Sequence, residues 1–79
     1  MENRRIIRLT REDVKDFVRS AEKCDFDINI GYNRILVDAK SILGVLSMEL
    51  SHDLVVEYAE KDPMFERALC KYEVKECVA

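Results

Sequence analysis

Two periodicities stand side by side in this chain, and together they leave few folds open. Residues 25–32 alternate: Phe26, Ile28, Ile30 and Tyr32 point one way, and Asp25, Asp27, Asn29 and Gly31 the other. That is a strand with one wet face. Just before it, Val14, Phe17, Val18 and Ala21 recur at helical spacing, with Asp16, Arg19 and Lys23 on other faces. The spacing predicts a helix from about Arg11 to Lys23. Thr10 is its N-cap, and Asp13, three residues on, comes close to a capping box and sets an acid at the positive helix end. A strand polar on one side and a helix apolar on one stripe bury each other in two layers.

The rest of the chain extends this pattern. Arg4 to Leu9 reads as a short isoleucine-rich strand of unclear period, because Ile6 and Ile7 are adjacent. Asn33-Arg34 makes a tight turn, since Asn tolerates positive φ, and Ile35, Val37 and Ala39 form the returning strand of a hairpin. Ser41 caps a short segment, Ile42 to Met48, that is apolar nearly all round. Leu54, Val56 and Tyr58 alternate with Val55, Glu57 and Ala59 in a fourth strand. Asp62 caps a last helix with Pro63 in its first position, and Phe65, Ala68, Leu69 and Tyr72 form its stripe, which ends near Tyr72. The order is β-α-β-β-α-β-α, an α+β two-layer domain spanning residues 1–79 with four strands, antiparallel or mixed, carrying helices on one side.

Composition excludes several classes of function. The 13 Lys and Arg against 16 Asp and Glu give a net charge of -3, too acidic for a nucleic-acid footprint. No apolar run approaches the roughly 20 residues needed to cross a bilayer. The patch after Arg4-Arg5 is too short for a secretory signal, so a cytoplasmic location is expected. Cys24, Cys70 and Cys77 are odd in number and widely spaced. On one helix, Cys70 and Cys77 would stand roughly 10 Å apart along the axis, too far for a disulfide. With a single histidine and no close cysteine pair, no metal site or cofactor is expected. The aromatics fall mostly on core faces, and the acids Glu12, Asp13, Asp16, Asp25 and Asp27 make no paired-carboxylate site in so small a chain.

From about Ser20 to Glu60 the sequence resembles HPr, the histidine-containing phosphocarrier family of the bacterial sugar phosphotransferase system. Lys40-Ser41-Ile42-Leu43-Gly44-Val45-Leu46-Ser47 matches the family's Lys-Ser-Ile-Met-Gly-Val-Met-Ser run, and Ala21 to Ile28 fits the family's preceding segment. The resemblance implies an open-faced sandwich: a four-stranded antiparallel sheet with three helices on one face. It also implies protein partners: the system's enzymes, an HPr kinase/phosphorylase or a transcription regulator.

The family's phosphoryl-accepting motif, Gly-x-His-Ala-Arg-Pro-Ala between the first strand and first helix, has no counterpart here. Counting back from Ser41 puts Thr10 near the histidine's place and Glu12 near the arginine's, with Arg11 between them. Glu12 and Asp13 would repel a phosphoryl group, and lone His52 lies in a later loop, where a solvated polar role is commoner. No catalytic residue is therefore assigned, and Thr10, Arg11 and Glu12 mark a degenerate active-site region. Ser41 stands where Gram-positive relatives carry a regulatory phosphoserine; the plain alternative is a capping serine. If Val45 and Met48 face the core, Ile42, Leu43 and Leu46 are partly exposed and, with Lys40, form a candidate partner-binding surface. Three readings stay open: a non-enzymatic regulatory or protein-binding member, a phosphocarrier using an unrecognised residue, and a plain dimerisation module, in which a second copy covers that patch.

Overall fold

The computed structural model describes residues 3–74. The order is β1 (Asn3–Ile7), α1 (Arg11–Glu22), β2 (Ile28–Tyr32), β3 (Ile35–Asp38), α2 (Ile42–Leu46), β4 (Leu54–Tyr58) and α3 (Pro63–Tyr72). The strands form one sheet ordered β1-β4-β2-β3, and every neighbouring pair is antiparallel. β1 and β2 therefore run parallel with β4 between them, and β3 and β4 run parallel with β2 between them. Each helical crossover, β1-α1-β2 and β3-α2-β4, straddles an inserted strand. The fold is the HPr-like α+β arrangement that the element order implied.

Burial follows the two periodicities. α1 buries Val14, Phe17, Val18 and Ala21; α3 buries Phe65 and Leu69; α2 contributes Val45. The sheet meets them with Ile7, Ile28, Ile30, Leu54, Val56 and Tyr58. Phe65 packs edge-on to Tyr58 at 5.4 Å between ring centres and also meets Phe17, which in turn meets Tyr72. The ambiguous Ile6–Ile7 pair is resolved by pairing: Ile7 faces the helices and is fully buried, whereas Ile6 is 47% exposed on the other face.

The hairpin turns at Asn33, whose φ of 53° is the left-handed conformation Asn tolerates. Gly31 is required by close approach. A Cβ there would lie 1.7 Å from the Ile35 carbonyl oxygen, so no other residue fits without moving β3.

Several boundaries differ from the sequence expectation. β1 stops at Ile7 rather than Leu9, because the Arg8 amide donates to the Tyr72 carbonyl (2.9 Å) instead of continuing the ladder with β4. β2 starts at Ile28 rather than Asp25, since the chain bends at Asp25–Phe26 on leaving α1. Asp62 stands at the N-cap of α3 but makes no side-chain cap; its carboxylate instead lies 3.7 Å from the Cys24 thiol. The stripe of α3 ends at Tyr72 as expected, and the chain packs on beyond it. Glu73 bridges Ile7, and the Val74 amide donates to the Ile6 carbonyl, so the chain runs along the outer edge of β1. Cys70 is exposed, and Cys77 lies outside the described residues.

Candidate functional site

The three-residue link Arg8–Thr10 delivers the chain to α1, and the helix start is closed by its own side chains. The Thr10 hydroxyl accepts from the Asp13 amide (3.3 Å), and the Asp13 carboxylate accepts from the Thr10 amide (3.0 Å), a complete capping box. Glu12 adds a second acid in the first turn. Because β4 pairs with β1, the loop after α2 comes back to this point. Arg8, Leu9, Thr10, Arg11, Leu50 and Ser51 line a shallow hollow of about 420 Å³. A smaller one, of about 230 Å³, brings Arg11 beside Leu46, Met48 and Glu49. The region marked by Thr10, Arg11 and Glu12 thus adjoins the far end of α2. Arg8 is drawn aside by Asp53 at 2.6 Å. His52 is exposed and stacks on the Tyr32 ring with 4.6 Å between centres, while the Tyr32 hydroxyl accepts from the Glu49 amide.

Ser41 lies at the opposite end of the helical layer. It is exposed, and its hydroxyl accepts from the Gly44 amide (3.2 Å). Gly44 leaves room for that oxygen, since a Cβ would stand 3.2 Å from it. Lys40, grouped with the partner-binding residues, turns inward: its ammonium donates to the Cys24 carbonyl (2.8 Å) and ties the end of α1 to the start of α2. The apolar residues of α2 divide as the spacing required. Val45 and Met48 are buried, and Leu43 is 77% exposed with Ile42 and Leu46 beside it at 40% and 38%.

A polar cluster under α3 gave no sequence signal. Arg5 on β1 binds Glu66 (2.7 Å) and Glu73 (2.8 Å), and the Tyr58 hydroxyl donates to Glu66. The hydrogen bond to Glu73 raises the Arg5 guanidinium above its ordinary range against the opposing effect of burial, and Glu66 adds to the rise. Burial, then the bond to Glu66, pushes the Tyr58 phenol up to about 12. These residues are 61 and 68 positions apart in the Arg5 pairs, so neither periodicity nor local motif brings them together. The cluster pins the chain after α3 to the edge of β1.

Among the described residues no group of His, Cys, Asp and Glu is placed to hold a metal ion, and no helix is long and apolar enough to cross a membrane. The geometry defines an open-faced sandwich of the HPr class, and solved structures share it. The phosphocarrier protein HPr from Bacillus anthracis str. Ames matches with a TM-score of 0.68 at 22% identity, over 90% of this chain and 94% of that one. HPr-C-His from Thermoanaerobacter tengcongensis matches with a TM-score of 0.68 at 22% identity, over 87% of this chain and 85% of that one. No family model and no curated protein sequence matches the chain. At such identity the likeness establishes the fold, and the chemistry has to be argued from the site.

Proposed function

We propose that this chain is a non-catalytic relative of the HPr phosphocarriers, a regulatory or protein-binding platform in the phosphoenolpyruvate-dependent sugar phosphotransferase system. The observation that carries this reading is the closed start of α1. A phosphoryl carrier needs a nucleophile there and helix amides free to hold the anion. Here the Thr10 oxygen takes the Asp13 amide, the Asp13 carboxylate takes the Thr10 amide, and Glu12 adds like charge where an anion would sit. The only histidine lies flat on Tyr32 in the loop before β4.

The platform is the exposed face of α2. Ile42, Leu43 and Leu46 form a compact apolar surface continued by the hollow at Arg11, which fits a phosphotransferase-system enzyme or a transcription regulator. Ser41 is its switch. A kinase of the HPr kinase/phosphorylase type would add about two negative charges beside this face, and the phosphate would inherit the Gly44 amide.

Incubation with phosphoenolpyruvate and enzyme I tests the reading. The expected result is no acid-labile phosphohistidine. Its appearance, lost in His52→Ala, would make the chain a carrier. Kinase treatment should modify wild type and spare Ser41→Ala, and a pull-down should lose its partner with Leu43→Asp.

A further inference from the structure

The helices cover one face of the sheet and leave the other bare. On the bare face the register aligns residues in rows across the strands. Ile6 lies opposite Val55, Val55 opposite Gly31, and Gly31 opposite Leu36. Val74, bonded to Ile6, extends this row past β1. The row is apolar throughout, and Ile6 and Leu36 are each about half exposed. The next row reads Arg4, Glu57, Asn29, Asp38 from β1 to β3. On the other side of the apolar row, Arg8 and Asp53 pair. The two ends of the apolar row differ. Beside Ile6 and Val74 there is a cavity of about 280 Å³, lined otherwise by the charged side chains of Arg4, Arg5, Asp53 and Glu73. At the β3 end stands exposed Leu36, with Asp38, whose carboxylate accepts from the Lys40 amide (2.9 Å) and joins no ion pair among the described residues.

We infer that this face binds a second copy of the chain, face to face, about a two-fold axis parallel to the strands. That axis sets β1 of each copy over β3 of the other, and β4 over β2. Leu36 of one copy lies over Ile6 of the other, and Asp38 reaches Arg4, which pairs within its own chain with Glu57 at 3.3 Å. Val55 lies over the strand at Gly31, whose outer side is filled by the β3 backbone at Ile35. Each contact occurs twice. Ile6 and Arg4 on one outer strand match Leu36 and Asp38 on the other when a second copy is rotated onto the first; an unrelated apolar partner does not call for that arrangement. Charge selects the axis. A two-fold along the apolar row would lay Arg4 over Arg8 and Glu57 over Asp53, like against like.

The face spans four strands at about 4.8 Å and about five residues at about 3.3 Å, a footprint of roughly 300 Å² per copy. A standard interface buries about 800 Å² per partner, so the dimer is weak. The helices lie on the far side of each sheet, so both α2 faces stay free.

Sedimentation equilibrium of the full chain from about 10 μM to 1 mM decides the matter. The expected result is a reversible monomer–dimer equilibrium that Val55→Lys weakens at least tenfold and Leu43→Asp leaves unchanged. Arg4→Glu and Asp38→Arg should each weaken it about threefold, and the double variant should restore it to within twofold of wild type. If Val55→Lys does not fold, Leu36→Lys, at an exposed position, takes its place. A monomer throughout the range overturns the inference. So does a dimer abolished by Leu43→Asp and indifferent to the sheet variants, or one that the double charge variant fails to restore.

Discussion

Thr10 and Ser41 each stand at a helix N-cap with extended backbone, and each hydroxyl accepts from the amide three residues on, at 3.3 and 3.2 Å. Beyond the caps the two helices part ways. After Thr10 come Glu12 and Asp13, and the Asp13 carboxylate returns to the Thr10 amide. The helix is twelve residues long and buries four of them. After Ser41 come Ile42, Leu43 and Gly44; no acid lies in the first turn, and the five-residue helix buries Val45 alone. The same local grammar serves two ends. At α1 the capping groups are used for folding. At α2 no acid closes the cap and an apolar surface is left facing solvent, and that asymmetry is why the proposed function is assigned to α2.

The comparison breaks most visibly in stability. Phe17→Ala under α1 should cost about 3–5 kcal/mol, because a fully buried ring touching Phe65 and Tyr72 leaves a cavity. Val45→Ala, the one buried anchor of α2, should cost about 2 kcal/mol. Leu43→Asp should stay within about 0.5 kcal/mol of wild type. Urea unfolding followed by circular dichroism measures all three. A large loss in Leu43→Asp would mean that the exposed face of α2 is structural after all.

The caps sharpen the contrast at a smaller scale. Thr10→Ala and Asp13→Ala should each cost about 1 kcal/mol, and the double variant less than the sum, because the two bonds form one reciprocal unit. Ser41→Ala should cost about 0.5 kcal/mol, since a five-residue helix has little of its own to lose. A double-mutant cycle on Thr10 and Asp13 that shows no coupling would remove the reciprocal cap, and with it the main support for a closed α1.

These differences were legible in the sequence wherever a period or a cap is local. Val14, Phe17, Val18 and Ala21, the Thr10–Asp13 pair, the Asn33 turn and the exposure of Leu43 all depend on neighbours within a few residues. Asp62 was not legible, because a carboxylate at an N-cap position has two competing partners, and the Cys24 thiol is 38 residues away. Lys40 looked like part of a surface, yet its partner is a carbonyl at the end of α1. The edge contact of Glu73 and the Arg5–Glu66–Tyr58 cluster likewise depend on which strand lies at the sheet's edge. That is set by the strand order β1-β4-β2-β3, which the residue pattern left open between antiparallel and mixed.

The smallest expected effect concerns the seam joining the two helices. Cys24, at the end of α1, is buried; burial first, then the Asp62 carboxylate, raises its thiol above the ordinary 9.0. A raised thiol pKa contributes stability that is complete below the unfolded value and fades as pH climbs through the folded one. In a Cys77→Ser background, exposed Cys70 should react quickly with a thiol reagent at pH 8 and Cys24 slowly. Asp62→Asn removes an acid that disfavours the thiolate, so in a Cys70→Ser, Cys77→Ser background the folded Cys24 thiol, followed by thiolate absorbance, should titrate at lower pH. Lys40→Met acts in two senses. It deletes a nearby cation, which by itself disfavours the thiolate, and it cuts the bond to the Cys24 carbonyl. Labelling of a buried thiol proceeds through an opened state in which the cation has moved away, so the lost bond should dominate. The rate should rise a few-fold, the equivalent of about 1 kcal/mol. A slower rate in Lys40→Met would mean that Cys24 reacts in place, and that the tie between the end of α1 and the start of α2 contributes nothing to holding them together.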